Sequence, residues 1–287
     1  MISKRKPHTY FLLLPALATI GLILLYPLAS AFKLSLFKYN LSYPPPYAFV
    51  GFRNYIKILT SDIFRAVFKQ NVLFAIGAFS IEFLGGFGIA LLLNLKFKGR
   101  KIFRTLFLLP MLVAPVLVGF NWRWLLNADY GLINQILIGI GLEPKLWLID
   151  AELAMFSIII ADAWQYTPFC ILLLLSGLQT LPSPLYEAAS IDGASVWQRF
   201  VHLTLPLLRP IIFLTIILRI VDLFRVFDIV YIMTQGGPGG STDLLPTYIY
   251  RITFRELRFG YGAAFSYIGL FISLLLVLPL ILSMERQ

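Results

Sequence analysis

Six stretches of this chain are apolar over a length that matches a lipid bilayer: about Tyr10–Phe32, Val72–Leu95, Phe103–Leu126, Leu153–Leu178, Ile211–Met233 and Ala263–Ser283. A helix needs about 20 apolar residues to cross the hydrocarbon core. Backbone polar groups in lipid must also be satisfied within the protein, which a helix does by itself. The bulk numbers agree: 59% of the 287 residues are hydrophobic and 13% are charged, where a soluble domain carries about 25% charged residues. Mean hydropathy is +0.82. The sequence therefore predicts an all-α integral membrane protein, one domain over residues 1–287 with six transmembrane helices. Pro110, Pro115 and Pro168 fall inside spans, where bundled helices tolerate them because neighbours re-satisfy the freed carbonyls.

The formal charge of +10 suits basic residues facing an anionic membrane surface. No soluble domain remains to carry a nucleic-acid-binding face. Cys170 is the single cysteine, so an internal disulfide or CxxC metal site is excluded. At the N-terminus, Lys4, Arg5 and Lys6 precede an apolar run ending in Ala29-Ser30-Ala31, which looks like a signal-peptidase site. That run is longer than a signal h-region and further spans follow, so an uncleaved first helix is expected.

Six spans put both termini on one side. With the ends inside, the inner segments hold Lys4, Arg5, Lys6, Lys96, Lys98, Arg100, Lys101, Arg104, Arg199, Arg209 and Arg286. The outer ones hold Lys33, Lys38, Arg53, Lys57, Arg65, Lys69, Lys145, Arg251, Arg255 and Arg258, which makes eleven against ten. Density separates what the count does not: Lys96–Arg104 is a very short loop and Lys4–Lys6 abuts the first span, the positions that weigh most in the positive-inside rule. Both termini are expected in the cytoplasm.

That topology places the polar interruption Tyr186–Pro206 in the cytoplasm. Leu181-Pro182-Ser183-Pro184 ends the fourth span and offers Ser183 as a helix N-cap. Leu185–Ile191 then predicts a short helix with small Ala188 and Ala189 near its middle. Gly193 follows, where a chain leaving a helix often takes a positive φ. Ser195-Val196-Trp197-Gln198 has capping-box spacing and starts a second helix, and Pro206 and Pro210 punctuate the approach to the fifth span. By itself this reads as helix, turn, helix lying along the membrane. An interfacial linker is the plain alternative.

The residues Glu187-Ala188-Ala189, Asp192-Gly193-Ala194 and Leu203-Thr204-Leu205-Pro206 resemble the EAA motif of ABC importer permeases, departing only at Leu203, where isoleucine is usual. Phe227-Asp228, Thr234–Thr242 and Tyr248–Arg251 are similar to the outer loop of the carbohydrate-uptake members, most like the maltose-type first permease subunit. The resemblance implies that about residues 182–206 form a cytoplasmic coupling segment. There Glu187, Ala188, Ala189, Asp192, Gly193 and Ala194 would meet a separate ATPase. It implies outer-loop contact with a solute-binding protein through Gly236, Gly237, Pro238 and Thr242. It also implies a second, homologous permease making a heterodimer, two copies of the ATPase, and alternating access. No GxxxxGK[ST] pattern occurs in the chain, so ATP and Mg are expected on the partner ATPase and no cofactor on this subunit.

Charges inside spans are costly in lipid and face a bundle interior or water. Glu82, Arg123, Asp162, Arg219, Asp222, Arg225 and Asp228 are such charges. The last four step by three and alternate in sign, which on one helix makes a self-neutralising ladder. The competing reading is a wet pathway wall. Sugars are held by hydrogen bonds and aromatic faces, so Trp164, Gln165, Tyr166, Asn121 and Asp222 are the candidate pathway residues. Trp122 and Trp124 read equally well as interfacial belt. The intramembrane aspartates also admit an ion-gradient-driven secondary transporter, though that leaves the Glu187–Pro206 helices without a task. A membrane enzyme would need clustered chemistry, and His8 and His202 are far apart in a six-span arrangement. No catalytic or metal residues are assigned.

Overall fold

The computed structural model describes residues 14, 15 and 17–284. The described chain is a succession of helices: α1 (Leu17–Ser35), α2 (Arg53–Leu59), α3 (Asp62–Asn94), α4 (Arg100–Leu112), α5 (Pro115–Leu125), α6 (Leu132–Gly139), α7 (Ala151–Thr180), α8 (Ser183–Ile191), α9 (Val196–Leu223), α10 (Asp228–Met233), α11 (Leu245–Tyr250) and α12 (Phe259–Met284). Five of them, α1, α3, α7, α9 and α12, are long and apolar enough to cross a membrane, and the bent pair α4–α5 makes a sixth if taken as one span. The start of the expected first span and the basic cluster Lys4–Lys6 lie outside the described residues.

Two compact units divide the chain, residues 1–64 with 249–270 and residues 65–248 with 271–287. In the first, the loop after α1 is pinned by an antiparallel bridge between Phe37 and Phe49. Asn54 Nδ2 donates to the Ser35 and Phe37 carbonyls at 2.7 and 3.1 Å. Gly260 N donates to the Tyr39 carbonyl at 2.9 Å, and Tyr267 Oη to that of Leu28 at 2.6 Å.

In the second unit, Ala90 and Leu93 of α3, Cys170, Ile171, Leu174, Leu175 and Leu178 of α7, and Leu208 of α9 form a buried cluster. Membrane helices lack a hydrophobic drive to associate and pack closely through small residues. Gly86 is such a point: a Cβ there would lie 2.7 Å from Cys170 Cβ and 3.2 Å from both Ile171 N and the Thr167 carbonyl. Two of those atoms are backbone and have nowhere to go. Gly86→Val is therefore expected to destabilise the protein by about 1–3 kcal/mol. Gly88→Val, with nothing within 4 Å of its Cβ, should be neutral, and thermal melts of the two purified variants make the comparison.

Two spans differ from their sequence expectations. The third is not one helix: α4 and α5 meet at 94°. Ala114 is extended, with ψ 136°, because a residue before proline is pushed out of the helical region, and Pro115 then opens α5. The fifth begins 15 residues before the expected Ile211, at Val196, and ends at Leu223 rather than Met233. Pro206 does not separate a surface helix from the span. Just before it, Phe200–Thr204 widens into a π turn. A proline ring clashes with the carbonyl four residues back and offers no N–H. The wider turn absorbs both, so the helix runs on.

Candidate functional site

Glu82 on α3, Asp162 on α7 and Arg219 on α9 meet in the second unit, all three fully buried. Arg219 grips Glu82 bidentately, with Nε to Oε2 and Nη2 to Oε1 both at 2.6 Å, and Nη2 also donates to Asp162 Oδ2 at 3.0 Å. The fork of a guanidinium matches a carboxylate in this geometry. The planar group also lies 4.3 Å from the centre of the Tyr166 ring. Three membrane helices are thus joined by one cation. The expected ladder along a single helix keeps only its first rung, a 3.9 Å pair between Arg219 and the half-exposed Asp222; Arg225 and Asp228 lie beyond the end of α9. The signal for the triad was present in the sequence as the isolated Glu82 and Asp162; what no spacing rule supplies is the pairing across helices.

Above the triad opens a cavity of about 280 Å³, at the lower edge of small-molecule sites. Asp162, Tyr166, Arg219, Asp222, Arg225 and Phe227 are among the residues lining it. Of the candidate pathway residues, Tyr166 and Asp222 therefore face this cavity. Gln165 does not: it is buried, and its Nε2 donates at 2.8 Å to the Val113 carbonyl, a group freed by the break between α4 and α5. Its role is to hold that break. Trp164 and Asn121 line a different cavity, of about 410 Å³, with Trp122, Trp124 and Leu125, where Trp122 and Trp164 meet edge to face at 6.3 Å.

The segment 183–206 forms the expected turn between two helices. Gly193 has φ +79° and its N–H reaches the Ser190 carbonyl at 3.2 Å. Ser195 and Gln198 close a reciprocal capping box, with Ser195 N to Gln198 Oε1 at 2.8 Å and Gln198 N to Ser195 Oγ at 3.2 Å. Ser183 does not cap α8; the helix already includes it, and Pro182 stands at the N-cap without a side-chain bond. Tyr186 Oη and Thr204 Oγ1 are 2.9 Å apart, and Arg199 Nη1 donates to Ser190 Oγ. These contacts fix α8 against the start of α9. The turn leaves a large apolar surface open: Ile191 is 87% exposed, Val196 75% and Trp197 71%. Glu187, Ala188, Asp192 and Gly193 are exposed beside it, while Ala189 and Ala194 are half-buried.

The Gly-rich stretch 234–244 is a folded loop. Gly236, Gly239 and Gly240 all have positive φ. Thr242 is fully buried; its Oγ1 donates to the Gly237 carbonyl at 2.6 Å and lies 2.8 Å from Thr234 Oγ1. Thr242 thus shapes the loop from within rather than presenting a surface to a partner. Gly237 and Pro238 are half-buried, and Gly236 is buried.

The model of the family described as "Binding-protein-dependent transport system inner membrane component" matches residues 82–286. This chain belongs to that family. Among its relatives, the trehalose/maltose transport system permease protein MalF of Thermococcus litoralis is 41% identical over 257 residues, covering 90% of this chain and 86% of that protein. The sulfoquinovosyl glycerol transport system permease protein SmoG of Agrobacterium fabrum is 36% identical over 255 residues, covering 89% and 83%. In fold, the chain is similar to a chain of a bacterial ABC transporter that imports the acidic polysaccharide alginate, with TM-score 0.83 and 24% identity over 97% of this chain and 95% of that one. The protein is thus a multi-pass inner-membrane subunit of a binding-protein-dependent transport system. The reading as an ion-gradient-driven secondary transporter falls with that membership.

Proposed function

We propose that this subunit forms half of the translocation path of an ATP-driven importer of a carbohydrate: an oligosaccharide, a sugar alcohol or a glycerol-phosphate-like solute. The observation that carries the reading is the exposed turn between α8 and α9. Its exposed Glu187, Ala188, Asp192 and Gly193 stand beside an open apolar surface formed by Ile191, Val196 and Trp197, a combination of polar turn and apolar patch on which a protein partner can seat. A separate ATPase docking there, in two copies per transporter, gives that surface a partner and the chain an energy source. ATP and Mg belong to that partner. A homologous permease, a different chain, encloses the path from the other side, and both termini lie in the cytoplasm with the α8–α9 turn. A solute-binding protein delivers solute near Gly236–Pro238.

The solute class rests on the relatives named for trehalose/maltose and sulfoquinovosyl glycerol transport and on the chemistry of the cavity. Carboxylates and guanidinium groups of Asp222 and Arg225 can share the hydroxyls of a sugar, and the Tyr166 and Phe227 rings can cover its apolar face. Alternating access would expose that wall to each side in turn. In vesicles holding the assembled transporter, uptake of a labelled maltooligosaccharide is expected to require internal ATP and the external binding protein, and to persist when ionophores collapse ion gradients. Uptake that stops with the ionophore and ignores ATP would overturn the reading.

A further inference from the structure

A second, larger cavity lies wholly in the first unit, where α1 ends and α12 begins. It encloses about 560 Å³, and its lining includes Lys38, Tyr39, Arg53, Lys57, Arg258 and Tyr261. The described part of α1, 19 residues or about 28 Å, is by itself long enough to cross the hydrocarbon core. Lys38, three residues past Ser35, therefore stands at headgroup level. Arg258 and Tyr261, flanking the start of α12, stand at the same level by the same reasoning. Tyrosines favour that depth. Arg258 is partly engaged, with Glu256 at 3.2 Å and over the Tyr261 ring at 4.4 Å. Lys38, Arg53 and Lys57 make no ion pair with any described residue, which leaves three uncompensated cations around one hollow. Beside it, Phe52, Ile56 and Leu59 recur at helical spacing and are all exposed, while Arg53 and Lys57 form the neighbouring stripe. A short helix divided in this way lies in the interface, apolar side toward the acyl chains and cations among the phosphates.

We infer that this pocket holds the phosphate-bearing headgroup of an anionic lipid, whose acyl chains run along Phe52, Ile56 and Leu59. The inference needs only the membrane placement of α1 and α12 and is independent of which solute is carried.

Native mass spectrometry of the delipidated full-length protein tests it, with phosphatidylglycerol and phosphatidylcholine as probes. The wild type is expected to retain phosphatidylglycerol preferentially. Each cation near an anionic surface contributes about five-fold, so the double variant R53Q/K57Q should lose about 30-fold of that preference. Lys38→Gln alone, on an exposed loop residue, should lose about five-fold and serves if the double variant does not fold. Lys96→Gln with Lys98→Gln is expected to change nothing. Unchanged retention in the pocket variants would overturn the proposal. So would displacement of the lipid by millimolar glycerol phosphate, which would make the ligand a soluble anion. Loss of binding-protein association in the pocket variants, with lipid retention intact, would reassign the pocket to a protein partner.

Discussion

Replacing Arg219 with leucine is expected to lower the melting temperature of the purified protein by about 10 °C and to stop transport. The expectation follows from what remains behind. Glu82 and Asp162 are fully buried and share one cation, at 2.6 and 3.0 Å. Removing a single member of a buried ionic cluster leaves uncompensated charge out of water and costs about 3–5 kcal/mol. The cluster as a whole is worth far less, because assembling it meant desolvating three charges. The triple variant E82Q/D162N/R219M should therefore regain most of the lost stability. It should still transport poorly, since the guanidinium also carries the Tyr166 face of the cavity. A melting temperature for Arg219→Leu equal to wild type would show that the triad does not hold α3, α7 and α9 together.

Charge reversal by Glu187→Lys is expected to reduce uptake and transport-linked ATP hydrolysis to background while membrane insertion and melting temperature stay at wild-type values. Glu187 is exposed and makes no contact that the fold depends on, so only a partner can register its change. Gly193 offers a graded companion. A Cβ at Gly193 would meet nothing within 4 Å, so alanine is opposed only by the positive φ, about 1–2 kcal/mol. Proline is opposed by φ and also deletes the N–H that reaches Ser190. Gly193→Ala should lose part of the activity and Gly193→Pro all of it, with the protein still in the membrane. Normal uptake in Glu187→Lys and Gly193→Pro would remove α8 and its turn from any role in energy transfer.

The lipid-spanning architecture was legible because its signal is one of length and polarity, which a sequence carries locally. The turn after α8 was legible for a similar reason: Gly193 and the Ser195–Gln198 box act within a few residues. What escaped was set by distance or by subtle backbone adjustment. Proline positions alone did not reveal that Pro115 breaks its span while Pro206 is absorbed by a π turn, since the outcome depends on what satisfies the freed carbonyls. Gln165 read as a cavity residue because its polarity was visible and the Val113 carbonyl it serves, 52 positions away, was not. The charges at Arg219, Asp222, Arg225 and Asp228 suggested pairing by spacing, yet the hydrogen-bonded partners of Arg219 sit 137 and 57 residues away and Asp222 is only its looser neighbour. Thr242 read as loop surface, and only the folded loop shows it turned inward.

The unbroken course of α9 has a mechanical consequence. Its first turn carries the exposed Trp197, and near its other end stands Arg219, on which two other membrane helices close. The 28 residues between Val196 and Leu223 make a rod about 42 Å long with no loop to dissipate a push. Its slack is Pro210 within the helix, which offers no N–H to the turn before it, and the π turn at Phe200–Thr204, one turn inside the Val196 end. A thrust there would either wind that turn tighter or arrive nearly undiminished at the ion triad. The stiffness of the stretch from Phe200 to Pro210 would thus set how much of a push the far end of the helix receives.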